Sequence, residues 1–442
     1  MRYVRIFVVI SMLIVLYGPI AMAQQSEQPG ELAPETVEQQ ADDRTFEEEI
    51  TITGSMIPRP TLDSLSPVTV MDVPEELTYT GLTRIEDLVA SLPQLYPAQS
   101  SRIANGADGT ATLGLRYLGT NRTLILINGR RLASGNLYSG DLNVIPASLI
   151  KRVDILTGGA STVYGSDAMA GVVNFVLDTD FTGVRGGVQY SFFQHDNNNA
   201  LAQSINEAAG FDYPTGRVTD GNSVTANIAV GGTFADGRGH GTVYIDYRDI
   251  GEMTKAQRDY TNCTIVRGAE GPECGGSATT ALGTFYAFNA NGSFNGAYTL
   301  HTEEGGGDGH SFRPYAGEMF NYGPYNHIQR PDEKWNAGGF AHYTINDHFE
   351  PYLEVMIMDD YTDAQIAPSG NWTVNQINCD NPMLSDQQRD LICVRGGYEP
   401  TDYAFLYMLR RNVEGGPRIS QIGNTNYRLV AGLRGDIDDH WS

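Results

Sequence analysis

From Gly183 onward the chain is built of segments of about ten residues that alternate in polarity. They are Val184–Phe193, Ser223–Phe234, Gly241–Asp249, Trp335–Ile345, Phe349–Asp360, Ala404–Val413 and Asn426–Ile437. A strand sends successive side chains to opposite faces, so such a segment has one apolar and one polar face. Membrane strands and soluble sandwiches both read this way. The connections separate the two. Ala235-Asp236-Gly237-Arg238-Gly239 and Asn346-Asp347-His348 are short turns, whereas His195–Asn222, Ile250–Lys334 and Tyr361–Asp402 are long and rich in Gly, Asn and Tyr. Short turns alternating with long loops are the wiring of a transmembrane antiparallel barrel.

Residues 184–442 are therefore expected to be the N-terminal portion of such a barrel. Two turns share a pattern, Asn346-Asp347-His348-Phe349 and Asp438-Asp439-His440-Trp441. If both lie at the same end, one segment too many falls between Phe349 and Ile437. A short extra strand near Arg418–Gln421, turning at Gly423-Asn424, restores parity. Seven or eight strands cannot enclose a domain, since a plugged lumen takes about 22. An open sheet in lipid leaves unpaired edges. The sequence is thus either a fragment or a naturally truncated chain, and a fragment carrying an incomplete barrel is the expectation.

The N-terminus reads as a signal peptide over residues 1–23. Arg2 and Arg5 precede the apolar run Ile6–Tyr17, and Ala21-Met22-Ala23 has the spacing of a cleavage site. Gly18-Pro19 ends the run short of a membrane span. In an exported chain, Cys263 with Cys274 and Cys379 with Cys393 are expected as two loop-closing disulfides, because neither pair has metal-ligand spacing. The excess of 53 Asp+Glu over 29 Lys+Arg excludes a nucleic-acid partner.

Residues 24–62 are Glu/Gln/Pro-rich at first and read as a disordered linker. Within it Glu49-Ile50-Thr51-Ile52-Thr53-Gly54 is strand-competent, yet no second strand lies at hairpin distance, and Pro58 and Pro60 detach it from the mixed unit beyond. Residues 63–180 read as that small mixed unit. Pro67–Met71 is a strand, and Thr83 with Glu86 forms a capping box for a helix carrying Ile85, Leu88, Val89 and Leu92, stopped by Pro93. Pro97–Thr112 is a polar loop. Arg122–Ile127, Val153–Leu156 and Val172–Leu177 are strands, with a tight turn at Asn128-Gly129 and a helical turn at Pro146–Arg152.

The stretch IKRVDILTGGASTVYGSDAMAGVVNFVL, residues 150–177, resembles the plug-domain signature of TonB-dependent outer-membrane receptors. Arg152, Val153, Gly158, Ser161, Tyr164, Gly165, Gly171 and Asn174 match that pattern. Asp154 stands where the family usually has Glu, Thr157 where Arg is frequent, and Gly159 where Pro is usual. Leu113–Gly135 and Asp141–Ile150 extend the resemblance. It implies an α+β plug domain followed by transmembrane antiparallel β-barrel strands, in the bacterial outer membrane. It implies that Glu49–Gly54 is a TonB box, which the periplasmic partner TonB, with its inner-membrane energising complex, captures by β-augmentation.

The function so implied is binding of an extracellular nutrient and its import into the periplasm with energy transmitted by TonB. The alternative is a passive porin or structural outer-membrane barrel protein. The apical plug loops 97–111 and 133–140 offer Arg102, Asn105, Asp108, Asn136 and Tyr138 as ligand-binding candidates. No enzyme activity, cofactor or metal is expected. No G-x-S-x-G elbow, G-K-[ST] loop or metal spacing is present, and His195, His301, His310 and His327 lie in loops.

Overall fold

The computed structural model describes residues 50–51, 59–60, 68–73, 84–134, 139–303, 305–346 and 348–435. At the N-terminus β1 (Ile50–Thr51) pairs antiparallel with β2 (Arg59–Pro60), Ile50 opposite Pro60 and Thr51 opposite Arg59. The peptide expected to have no partner in its own chain has one, two residues long. Pro60 is tolerated because β2 is an edge strand. Glu49, Ile52, Thr53 and Gly54 lie outside the described residues.

The mixed unit contains β3 (Val68–Asp72), β4 (Leu95–Gln99), β5 (Thr112–Leu115), β6 (Thr123–Ile127), β7 (Arg130–Arg131), β8 (Ile150–Thr157) and β9 (Gly171–Leu177). One sheet runs β3-β8-β9-β6-β7, parallel only between β6 and β9. Strands β6 and β9 are covered on both faces, so their sequences are continuous apolar runs rather than alternations. Asn128 and Gly129 both have positive φ, 49° and 76°, the geometry of the hairpin turn that joins β6 to β7. Gly171 is required: its φ is 141°, and a Cβ there would stand 2.2 Å from the Leu156 carbonyl oxygen.

Two local expectations change. The 97–112 loop is bracketed by a ladder between β4 and β5. The helix is only Ile85–Val89, with Arg84 at its N-cap and no side-chain cap. Thr83 lies outside the described residues, and the helix ends at Ala90, before Pro93 is reached.

Next along the chain are β10 (Gly183–Asn197), β11 (Gly216–Phe234) and β12 (Gly239–Ile250), then the short β13 (Met253–Thr254), β14 (Thr264–Arg267), β15 (Pro272–Gly275), β16 (Thr284–Phe288), β17 (Phe294–His301), β18 (Ser311–Pro314) and β19 (His327–Gln329). The last five are β20 (Asp332–Tyr343), β21 (Glu350–Ile366), β22 (Gly370–Asn378), β23 (Tyr403–Arg411) and β24 (Arg418–Arg434). The long ones form an antiparallel wall in chain order, β10-β11-β12-β20-β21-β24.

The segment Ala404–Val413 is not part of this wall. It is β23, inside a separate sheet ordered β18-β17-β16-β23-β22. It alternates because Ala404 and Leu406 are packed beside Ile392 and the Cys379–Cys393 disulfide. Removing it from the count resolves the parity problem. No separate strand exists at Arg418–Gln421: β24 is continuous, and Gly423 and Asn424 sit mid-strand opposite Tyr361 and Asp360. Asp438–Trp441 lies outside the described residues. The second disulfide, Cys263–Cys274, closes the β14–β15 ribbon.

The wall has two different faces. On β21 the residues at 354, 356, 358, 360, 362 and 364 are buried and those between them are not. The outward set includes Val184, Val230, Val243, Leu353 and Leu429, all exposed. Aromatic pairs flank that apolar face, Tyr247 with Trp335 (ring centroids 4.5 Å apart) and Phe234 with Tyr343 (6.2 Å). Trp335 and Tyr343 lie eight residue steps apart along β20. That is about 27 Å along the strand and about 20 Å once the strand is tilted.

Candidate functional site

The inward face of the wall carries the mixed unit. Their apolar cores are continuous: Leu142, Ile145, Val153 and Phe175 belong to the same buried cluster as Ala229, Tyr244, Phe340, Met356 and Met358 of the wall. Around this contact is a polar network. The lower end of the wall is the one with the short turns at 235–238 and 346–349, and the upper end carries the long connections. Asn143, in a one-turn 3-10 segment Leu142–Val144, is the node near the upper end.

The Asn143 backbone oxygen accepts from Asn336 Nδ2 at 2.9 Å and Lys334 Nζ at 3.2 Å. Its Nδ2 donates to Asp360 Oδ2 at 3.3 Å, and its Oδ1 accepts from Arg248 Nη2 at 3.4 Å. Arg248 also pairs with Asp332, and Arg84 lies 3.9 Å from the same carboxylate. Ser148 donates to Asp246 Oδ1 at 2.6 Å. Arg330 reaches the Ser100 carbonyl at 3.1 Å, and Asn424 reaches that of Asp108 at 3.2 Å. Lower down, Glu354 pairs with both Arg130 and Arg428.

Burial pulls the Arg84 and Arg330 guanidinium pKa values down, with Asp332 opposing that shift in both. The Asp141 carboxyl is pushed up by burial, against hydrogen bonds from the amides of Ala111 (2.9 Å) and Asn143 (3.0 Å). The network is incompletely satisfied, because Arg248 Nε, Arg330 Nε and Asn336 Oδ1 make no hydrogen bond within the described protein. Charges packed this way hold register and orientation more than they add net stability.

The signature residues near 150–177 serve the sheet and its bends. Asp154 and Val153 are buried, and Arg152 Nε donates to Asp154 Oδ1 at 3.0 Å. Asn174 Oδ1 accepts from the Gly129 amide at 3.0 Å, pinning the hairpin turn. Arg131 binds Asp167 and the Tyr164 carbonyl, which fixes the bend after the helical turn Ser161–Tyr164. Gly158 and Gly165 take φ of 140° and 93°.

The apical candidates do not converge among the described residues. Arg102 is exposed and pairs with Asp87 at 3.3 Å, and Asn105 is exposed. Asp108 Oδ1 accepts from the amide and hydroxyl of Thr110 at 2.9 and 2.7 Å. Asn136 and Tyr138 lie outside the described residues. The network residues were missed by sequence reasoning, although a signal existed. Asp332, Lys334 and Asn336 alternate along one strand, as do Asp246 and Arg248, and charges of that parity on a membrane strand must point inward.

Residues 60–172 match the family model described as TonB-dependent Receptor Plug Domain. Among solved structures, the chain is similar to the ferric enterobactin receptor of Pseudomonas aeruginosa in complex with enterobactin, at 13% identity and a TM-score of 0.39, covering 74% of this chain and 36% of that one. It is also similar to the siderophore receptor PirA of Acinetobacter baumannii, at 15% identity and a TM-score of 0.39, covering 88% and 47%. The chain thus spans less than half the length of either structure.

Proposed function

We propose, from the premise that residues 60–172 form the plug domain of a TonB-dependent receptor, that the chain belongs to an outer-membrane importer whose plug closes the lumen until TonB works on it. The observation that carries this reading is the plug seated on the inward face of the strand wall through the Asn143 network, with a strand-competent peptide at its N-terminal side. A plug held by this network and by the apolar contact around it can yield strand by strand from its N-terminal side without dismantling the wall. The aromatic pairs flanking an apolar outer face support placement of the wall in lipid. The ligand is an extracellular nutrient, and the reading is of a receptor rather than an enzyme.

Glu49–Gly54 is the TonB-binding segment in this reading. The β1–β2 ladder must open before that peptide adds to another sheet. Two residue pairs make this an inexpensive step, about 1–3 kcal/mol for the hydrogen bonds involved. Thr51→Pro removes a ladder donor and should abolish energised uptake by cells making the complete protein, while ligand binding to those cells persists. Uptake at the wild-type rate by that variant overturns the assignment. Ion conductance through the unliganded protein would favour a porin instead.

A further inference from the structure

The linker between plug and wall, residues 178–182, crosses the inward face at its lower end. Thr242 Oγ1 donates to the Thr179 carbonyl at 2.8 Å and lies 3.3 Å from that of Phe181. Gly231 gives the linker its room, since a Cβ there would stand 1.9 Å from the Phe181 oxygen. Under this crossing, His240 of β12 and His342 of β20 are directly opposed in register, with ring centroids 6.0 Å apart. Asp180 descends onto them from the linker, its Oδ1 2.9 Å from His342 Nε2. One donor atom from each of the three residues lies within 4.8 Å of the other two.

Two imidazoles and one carboxylate are the donor set of a borderline divalent ion. The surroundings have the form that such sites need. His342 presents Nε2 to Asp180, while its Nδ1 lies 3.6 Å from Glu350 Oε1. Glu350 is itself fixed by Thr344 Oγ1 at 2.7 Å and by Arg434. Nδ1 makes no hydrogen bond at that distance; a shift of a few tenths of an ångström would set Glu350 behind the far nitrogen of His342, where a carboxylate fixes the tautomer of a ligating histidine. His240 is 5% exposed, and its Nδ1 makes no hydrogen bond within the described protein. Its Nε2 meets only a hydroxyl, Thr182 Oγ1 at 3.2 Å. Coordination at about 2.1 Å puts tetrahedral donors about 3.4 Å apart. The three donors already stand within 4.8 Å of one another, so binding draws them together by side-chain rotation of the solvent-facing Asp180 and of the histidine rings alike.

We propose that Asp180, His240 and His342 bind one divalent transition-metal ion of the zinc class, and that this ion staples the plug–wall linker to the lower end of the wall. The fourth position is left to water. Neither plug seating nor capture of the N-terminal peptide calls for these three side chains. The donors come from three separate segments, so no local spacing in the sequence announces them.

The test uses the complete protein in detergent, stripped with a chelator and dialysed. Zn²⁺ is titrated calorimetrically and Co²⁺ by visible absorption. The expected result is one saturable site per chain, with affinity at least about tenfold weaker in Asp180→Asn and in His342→Gln. Tetrahedral Co²⁺ bands should appear in the wild type and vanish in His240→Gln. Asp180 is exposed, so its variant tests binding with the fold preserved. Zn²⁺ should also slow proteolysis between residues 178 and 182 in the wild type and not in Asp180→Asn. Absence of saturable binding, or equal binding by the wild type and both variants, overturns the site. Binding without linker protection overturns the staple.

Discussion

Asn143→Ala removes three side-chain hydrogen bonds at one buried position, those to the Gly109 carbonyl (3.4 Å), to Asp360 (3.3 Å) and from Arg248 (3.4 Å). Two of these cross from plug to wall and involve charged groups. Such bonds contribute about 1.5–3 kcal/mol each, and their length puts these near the lower limit. The local attachment should therefore weaken by about 3 kcal/mol, with the backbone oxygen still held by Lys334 and Asn336. If segment 141–145 exchanges by opening away from the wall, its amides should exchange about 100-fold faster, at tenfold per 1.4 kcal/mol. The reporters are Leu142 and Ile145, whose amides donate to Ala111 and Leu142. Hydrogen-exchange mass spectrometry should show the change there and little in β8 or β12. A change of less than about threefold in Asn143→Ala would mean that the node does not hold the plug.

Two further outcomes test other parts of the structure. Burial raises the Asp141 carboxyl, so the folded state keeps its proton to higher pH than the unfolded chain does. The resulting penalty is absent below the ordinary carboxylate range and grows as pH rises through the folded value. Asp141→Asn keeps an oxygen for the amides of Ala111 and Asn143, so its thermal stability relative to wild type should rise as pH climbs above the ordinary carboxylate range. A pH-independent difference contradicts the shift. Cys379–Cys393 closes a loop with a sequence separation of 14, worth about 3 kcal/mol of chain entropy. Cys379→Ser with Cys393→Ser should open the sheet around β22 and β23 to protease and leave the wall strands protected. Equal protection with and without the bridge would place that stability in the Leu391–Ile392 packing instead.

The plug was legible because its signals are local. Asn128-Gly129 dictates a turn, and RTLILI and VVNFVL are too apolar to be anything but buried strands. The wall strands were legible in position but short at their upper ends, since ladder pairing carries β21 on to Ile366 and starts β11 at Gly216, beyond where alternation shows. Sheet membership was not legible. β23 alternates like a wall strand, because any sheet with one packed face imposes that period. Only long-range pairing with β16 and β22 tells them apart. The Asn143 node was illegible for a related reason: its partners on the wall are more than 100 residues away in sequence.

The topology of the plug bears on how work applied at its N-terminal side would act. β3 is an edge strand with one neighbour, joined to β8 through five residue pairs, Val68 with Leu156 to Asp72 with Arg152. The parallel β6–β9 pair and the β8–β9 ladder persist without it. A pull from the proposed handle therefore meets the two-residue β1–β2 ladder first and β3 second. Removing β3 exposes Met71 but leaves Phe175, Val153 and Leu142 on the wall. Expelling the whole plug would instead uncover the apolar contact with Tyr244, Phe340, Met356 and Met358 and break the Asn143 network as well. Stepwise loss of the N-terminal strand is the lower-energy response, and it leaves the unit still anchored at Asn143 when the pull ends.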